Sequence, residues 1–142
     1  MATHRLVAAN WHNVLGTLPP VLTVASGDTV VTETIDAHGF DKDGVKRAPA
    51  PNPMNGPVFV TGAEPGDALK VEIVRMTPIR DTGWTFASLA GNVVDPEFVR
   101  TLPTPEKTTW RIDLEAMTVA PEKAVPGLEN FVLALEPMLG CF

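Results

Sequence analysis

The sequence predicts an all-β protein, a jelly-roll-like β-sandwich or distorted barrel of about eight short strands, and three observations carry that prediction. Apolar residues alternate with polar ones in short runs: Trp110, Ile112 and Leu114 with Arg111, Asp113 and Glu115; Leu69, Val71 and Ile73 with Ala68, Lys70 and Glu72; Phe131, Leu133 and Leu135 with Val132, Ala134 and Glu136. That period of two is the mark of a strand with one buried face. Fourteen Pro and eleven Gly among 142 residues then cut the chain into pieces too short for long helices. Finally, one stretch echoes another. Pro20-Val21, Gly27-Asp28, Val30 and Glu33 recur as Pro57-Val58, Gly66-Asp67, Leu69 and Glu72, which reads as two similar hairpins of one sandwich.

Taken in order, Thr3 to Ala9 holds Leu6 and Val7 and reads as a short strand, followed by the polar-aromatic group Asn10-Trp11-His12-Asn13. Val21 to Val24 is a β-prone apolar run, Ser26-Gly27-Asp28 turns, and Thr29 to Ile35 returns as a strand rich in Val and Thr. Asp36 to Asn55 mixes charge, Gly and Pro without apolar periodicity and predicts a long exposed loop, functional or mobile. Val58 to Val60 and Leu69 to Ile73 make the second hairpin around Pro65-Gly66-Asp67, where proline presets φ and glycine takes a positive φ. Thr77 to Gly91 reads as strand or irregular chain, Asp95-Pro96 as the start of a single helical turn to about Arg100, and Leu102 to Thr108 as a proline loop. Strands are expected around Trp110 to Leu114 and Phe131 to Leu135, with a break over Pro121 to Pro126. The closing Pro137-Met138-Leu139-Gly140-Cys141-Phe142 is apolar, so burial there is expected, against this domain or against a partner chain.

Length and composition fit a single β domain spanning 1–142. A formal charge of -6 argues against nucleic acid as a partner, since neutralising phosphates requires clustered Lys and Arg. The start MATHRLVAANW has no apolar core of signal-peptide length, and no window has the length to span a bilayer. The lone Cys141 excludes an internal disulfide and Cys-rich zinc frameworks and fits a reducing, cytoplasmic setting.

The chemistry-bearing residues are few. There is no Gly-x-Ser-x-Gly elbow and no Ser-x-x-Lys pair, and Cys141 lacks an activating neighbour in sequence. Three imidazoles are present: His4, His12 and His38. In Asp36-Ala37-His38 a carboxylate and an imidazole lie two residues apart, hence on one side of an extended segment. Neutral imidazole and carboxylate can together hold a divalent ion that acidifies a bound water. The plain alternative is that Asp36 and His38 solvate a loop, that His12 packs beside Trp11, and that His4 sits on the terminal surface. The Asp-x-Asp-Gly over residues 41–44 lacks the spaced ligands and closing Glu of a calcium loop.

The phrases PPVLTVASGDTVVTETIDA, GPVFVTGAEPGDALKVEI, WRIDLEA and PMLGCF, in that order, resemble the N-terminal half of the acetamidase/formamidase family of amide hydrolases. The resemblance implies a hydrolase of small linear amides that releases ammonia and a carboxylate by means of a metal-activated water, with zinc the expected divalent metal. On this basis Asp36 and His38 are the expected catalytic residues, and His12, Asp36 and His38 the expected metal ligands. Asn10 and Asn52, which stand where relatives often carry His, are the expected substrate contacts. The family continues into a second half rich in Gly, Asp, His and Glu. The expected partners are therefore a small amide substrate and either a second copy of the chain or a complementary C-terminal half. The alternative is an incomplete N-terminal fragment that serves as an assembly or small-ligand binding module.

Overall fold

The computed structural model describes residues 1–87 and 89–139. The protein is mostly strand with almost no helix, as the alternation and the Pro/Gly spacing require: β1 Thr3–Leu6, β2 Leu22–Ala25, β3 Thr29–Thr32, β4 Val58–Thr61, β5 Thr82–Ala87, β6 Glu106–Asp113, β7 Thr118–Pro121 and β8 Leu133–Ala134. Among the described residues the helical content is a 3-10 turn, Gly91–Val93, and one short helix, α1 Pro96–Val99. In α1 the sequence reading is realised in position: Pro96 opens the helix, where its missing N–H costs nothing, and the Phe98 N–H donates to the Asp95 carbonyl, but the Asp95 side chain makes no capping hydrogen bond. The chain forms two compact units, one spanning Met1–Ile79 joined by Met138 and Leu139, the other Arg80–Pro137.

The first unit contains two parallel pairs, and here the expected hairpins are corrected. β1 pairs with β3 from Thr3↔Thr29 to Leu6↔Thr32, and β2 pairs with β4 from Leu22↔Val58 to Ala25↔Thr61. The corner at Gly27-Asp28 thus carries the chain from one sheet into the other instead of folding it back onto its own neighbour. Its physical basis is the Asp28 carboxylate, which accepts from the Ala25 N–H at 3.1 Å, from the Ala2 N–H at 2.7 Å and from His4 Nε2 at 2.9 Å. The contact with Ala2 draws β1 alongside β3. Turn residues specify a bend, but only the two-residue Asn-Gly type of loop also specifies that the flanking strands pair.

The internal echo is real at atomic level. Asp67, the counterpart of Asp28, accepts through Oδ2 from the N–H three residues earlier, Glu64, at 2.9 Å, and donates its own N–H to the Glu64 carbonyl, as Asp28 does to Ala25. The first strands of the two copies pair with each other, and the Val21 N–H donates to the Pro57 carbonyl at 3.0 Å. Beyond the turn the copies diverge. Residues 68–78 lie in no strand, so the strand expected over Leu69 to Ile73 is not formed among the described residues.

In the second unit β5, β6, β7 and β8 form one antiparallel sheet in that order. β6 begins at Glu106, earlier than the proline loop expected to Thr108, because Thr108 and Lys107 pair with Thr85 and Phe86. β7 is not legible in the sequence: Thr118-Val119-Ala120-Pro121 shows no polar alternation, and its pairing with Asp113 to Trp110 is closed by the Asp113 carboxylate accepting from the Glu115 and Ala116 N–H groups. The Phe131 to Leu135 strand shrinks to two residues on the edge. Trp110 donates Nε1–H to Thr85 Oγ1 at 2.8 Å, and Trp84 meets Phe86 edge-on at 5.4 Å between ring centroids.

Among the described residues burial is concentrated in the first unit, where Leu6, Val24 and Ala48 are the buried hydrophobic side chains and Gly39, Pro53 and Gly56 are buried with them. Three of these six, Gly39, Ala48 and Pro53, lie between 36 and 55, the stretch expected to be an exposed loop, most of whose other residues are exposed. The terminal Cys141 lies outside the described residues, while Met138 and Leu139 are exposed.

Candidate functional site

The 36–56 segment is organised by its own aspartates. Asp36 Oδ1 accepts from the His38 N–H at 2.9 Å and the Phe40 N–H at 3.0 Å, while the Asp36 N–H donates to the Phe40 carbonyl. Asp41 repeats the device: its Oδ1 accepts from the Asp43 and Val45 N–H groups, and its Oδ2 accepts from Arg47 Nε at 2.6 Å. Short polar side chains that capture nearby backbone donors fix a turn without helix or sheet. Lys46 lies 5.5 Å from the centre of the Phe40 ring, and Phe40 and Lys46 form an isolated antiparallel bridge. The Gly39 carbonyl accepts from both the Arg47 and Ala48 N–H groups, which closes the loop on itself.

Two further segments are stitched to this frame. Asn52, which has a left-handed φ of 49°, donates its N–H to the Ala37 carbonyl at 2.8 Å. Asn13 donates Nδ2–H to the Pro49 and Pro51 carbonyls, and His12 and Met54 exchange both backbone hydrogen bonds. The structure therefore brings His12, Asn52, Asp36 and His38 onto one hydrogen-bonded frame. Asn10 lies two residues from His12 on an exposed stretch. His4 belongs to the Asp28 corner. Asn13, whose side chain secures the prolines of the frame, escaped sequence reasoning; its signal was only its adjacency to His12. Asn52 is also the kind of residue that signals a constrained site, a non-glycine held at positive φ.

Among the described residues no three His, Cys, Asp or Glu side chains stand close enough to hold a metal ion. One oxygen of Asp36 is already committed to two backbone donors. A cleft of about 330 Å³ occurs in the second unit, lined by Arg111, Lys123, Leu128 and Phe131 among others, and none of the expected site residues reaches it.

Two carboxylates of the first unit, Asp41 and Asp28, have depressed pKa values, as does Glu129 of the second, lowered chiefly by the Gly127 N–H. Asp41 is lowered chiefly by its hydrogen bond from Arg47 and then by the Val45 N–H, and Asp28 is lowered chiefly by the Ala2 N–H and then by His4. A depressed folded value means that the stabilising contribution is full above the ordinary carboxylate value of 3.8 and is lost as the pH falls from there through the folded value. Acidification below about pH 4 is therefore expected to weaken the loop frame and the β1–β3 pairing, and Asp28→Asn is expected to flatten that loss. Amide hydrogen exchange at Val31 and Val45 as a function of pH checks both; protection unchanged down to about pH 2 would count against it.

A β scaffold carrying a polar loop frame held by its own backbone hydrogen bonds is the class this arrangement defines. Within it the chain is specific: it belongs to the acetamidase/formamidase family, whose profile matches residues 2–142. Neither a curated relative nor a solved structure matches this chain.

Proposed function

We propose that the protein is an amide hydrolase acting on small linear amides, releasing ammonia and a carboxylate. Family membership supports the reaction class, and the single structural observation in its favour is the frame that holds His12, Asp36, His38 and Asn52 together through backbone hydrogen bonds. Hydrolysis of an unactivated amide needs a proton for the departing amine and donors for the tetrahedral oxyanion. In this reading a water attacks the amide carbon, the His38 imidazole takes the proton that water gives up and returns it to the amine nitrogen as the C–N bond breaks, Asp36 holds the His38 backbone in place, and the Asn10 and Asn52 side-chain amides pair with the substrate's carbonyl and NH2 groups, for which they carry both donors and an acceptor. The zinc implied by the resemblance does not fit the described side chains by themselves, with one Asp36 oxygen engaged and no three-ligand cluster present among them.

A second reading has its own observation. Val7, Leu69, Val71, Ile73 and Val74 in the first unit are all exposed, as expected of an assembly module whose apolar surface a second copy or a complementary C-terminal half would cover. Ammonia release from formamide and acetamide by the purified chain, assayed with zinc and with chelator, separates the two. Turnover that saturates with substrate is expected. Its absence under both conditions would sink the enzymatic reading and leave the module.

A further inference from the structure

The segment after the second Gly-Asp corner is a β-prone stretch that pairs with nothing among the described residues. By the internal echo, residues 68–71 correspond to β3, which β1 covers; yet among the described residues no backbone hydrogen bond reaches 68–78. Leu69, Val71 and Ile73 are 65%, 59% and 52% exposed, too open for residues on the apolar face of a paired strand. A row of unsatisfied N–H and C=O groups beside β-prone side chains is a template for another strand.

The sequence of this stretch identifies the occupant. Asp67-Ala68-Leu69-Lys70-Val71-Glu72-Ile73-Val74-Arg75 is self-complementary about Val71. Laid antiparallel against a second copy on a twofold axis through Val71, Lys70 faces Glu72, Leu69 faces Ile73, Ala68 faces Val74 and Asp67 faces Arg75. Each facing pair is related by the same axis, so every opposite-charge pair occurs twice, as an isologous contact demands. Directly opposed residues of an antiparallel pair lie on the same face, so charges meet charges and apolar side chains meet apolar ones. A parallel pairing in register would set Lys70 on Lys70 and Glu72 on Glu72. We propose that residues 67–75 form an antiparallel, twofold strand pairing with a second copy of this chain, centred on Val71. This inference stands whether or not the chain hydrolyses amides.

Sedimentation equilibrium of the full chain tests it with a charge swap. The parent is expected to dimerise. Lys70→Glu and Glu72→Lys should each weaken the dimer about tenfold, because each sets like charges opposite one another twice, whereas the double variant Lys70→Glu/Glu72→Lys restores the complementarity and should recover the parent affinity. Val71→Cys in a Cys141→Ser background should cross-link under mild oxidation, since position 71 faces its own copy. A monomeric parent, a dimer indifferent to the single swaps, or a double variant no better than either single would each overturn the proposal.

Discussion

Gly39→Ala is expected to cost about 3 kcal/mol or more of stability in the first unit, more than alanine at any other described glycine, since at Gly39 alone the added Cβ would meet backbone closer than 3 Å. Gly39 has a φ of 88° and is buried against Ala48, and a Cβ built on it would overlap the Ala48 carbonyl oxygen, with the carbonyl carbon 2.9 Å away. Two penalties therefore coincide. The left-handed conformation costs a residue with a Cβ about 1–2 kcal/mol. The clash is with backbone, which cannot rotate aside, so either Gly39 or Ala48 must move. Movement of either breaks the hydrogen bonds from the Arg47 and Ala48 N–H groups to the Gly39 carbonyl at 2.7 and 3.4 Å, worth about 1 kcal/mol each.

Gly44 provides the internal control. It too has a positive φ, 72°, but a Cβ there meets nothing within 4 Å. Gly44→Ala is expected to lose only the conformational part, about 1–2 kcal/mol. Urea unfolding of both variants with the parent, read by exchange of the Arg47 and Ala48 amides, checks the difference. Equal losses would mean that the closure between Gly39 and Ala48 does not hold the loop.

How much of this is legible in the sequence depends on the range of the interaction involved. The strand class, the Asp95-Pro96 helical turn and the Gly-Asp corners are local properties, and each is found where the residues place it. Partner choice is not local. Nothing in Thr29 to Thr32 distinguishes a neighbour at β2 from one at β1; the Ala2 N–H reaching Asp28 decides it. The 36–55 stretch departs from expectation for the opposite reason. Its charges and glycines suggest solvent, and most of it is exposed, yet Asp36 and Asp41 turn theirs toward the loop's own N–H groups, which lets Gly39, Ala48 and Pro53 become buried. Composition reports the presence of a carboxylate but not what it accepts from. For the site, the sequence supplies the residues; that 12–13, 36–41 and 49–54 share one frame requires Asn52 and Asn13, whose donors cross between segments.

His38→Ala is expected to lower the kcat for ammonia release at least about a hundredfold, the usual contribution of a positioned acid–base group. Asp36 should divide by substitution. If its task is to hold His38, the oxygen matters and the charge does not: the amide oxygen that Asp36→Asn introduces can still accept from the His38 and Phe40 N–H groups, which lie 2.9 and 3.0 Å from Oδ1 of the parent carboxylate. Asp36→Asn is then expected to remain within about threefold of the parent, while Asp36→Ala, which frees both donors and lets His38 drift, should lose between about tenfold and a hundredfold. A carboxylate needed as a base or a ligand would respond differently, because an amide cannot take a proton at neutral pH and is a poor ligand. In that case Asp36→Asn and Asp36→Ala would fall together, and the pH profile would lose its acid limb. The two activities, measured side by side with exchange protection at Phe40, therefore separate a residue that orients the imidazole from one that shares its chemistry.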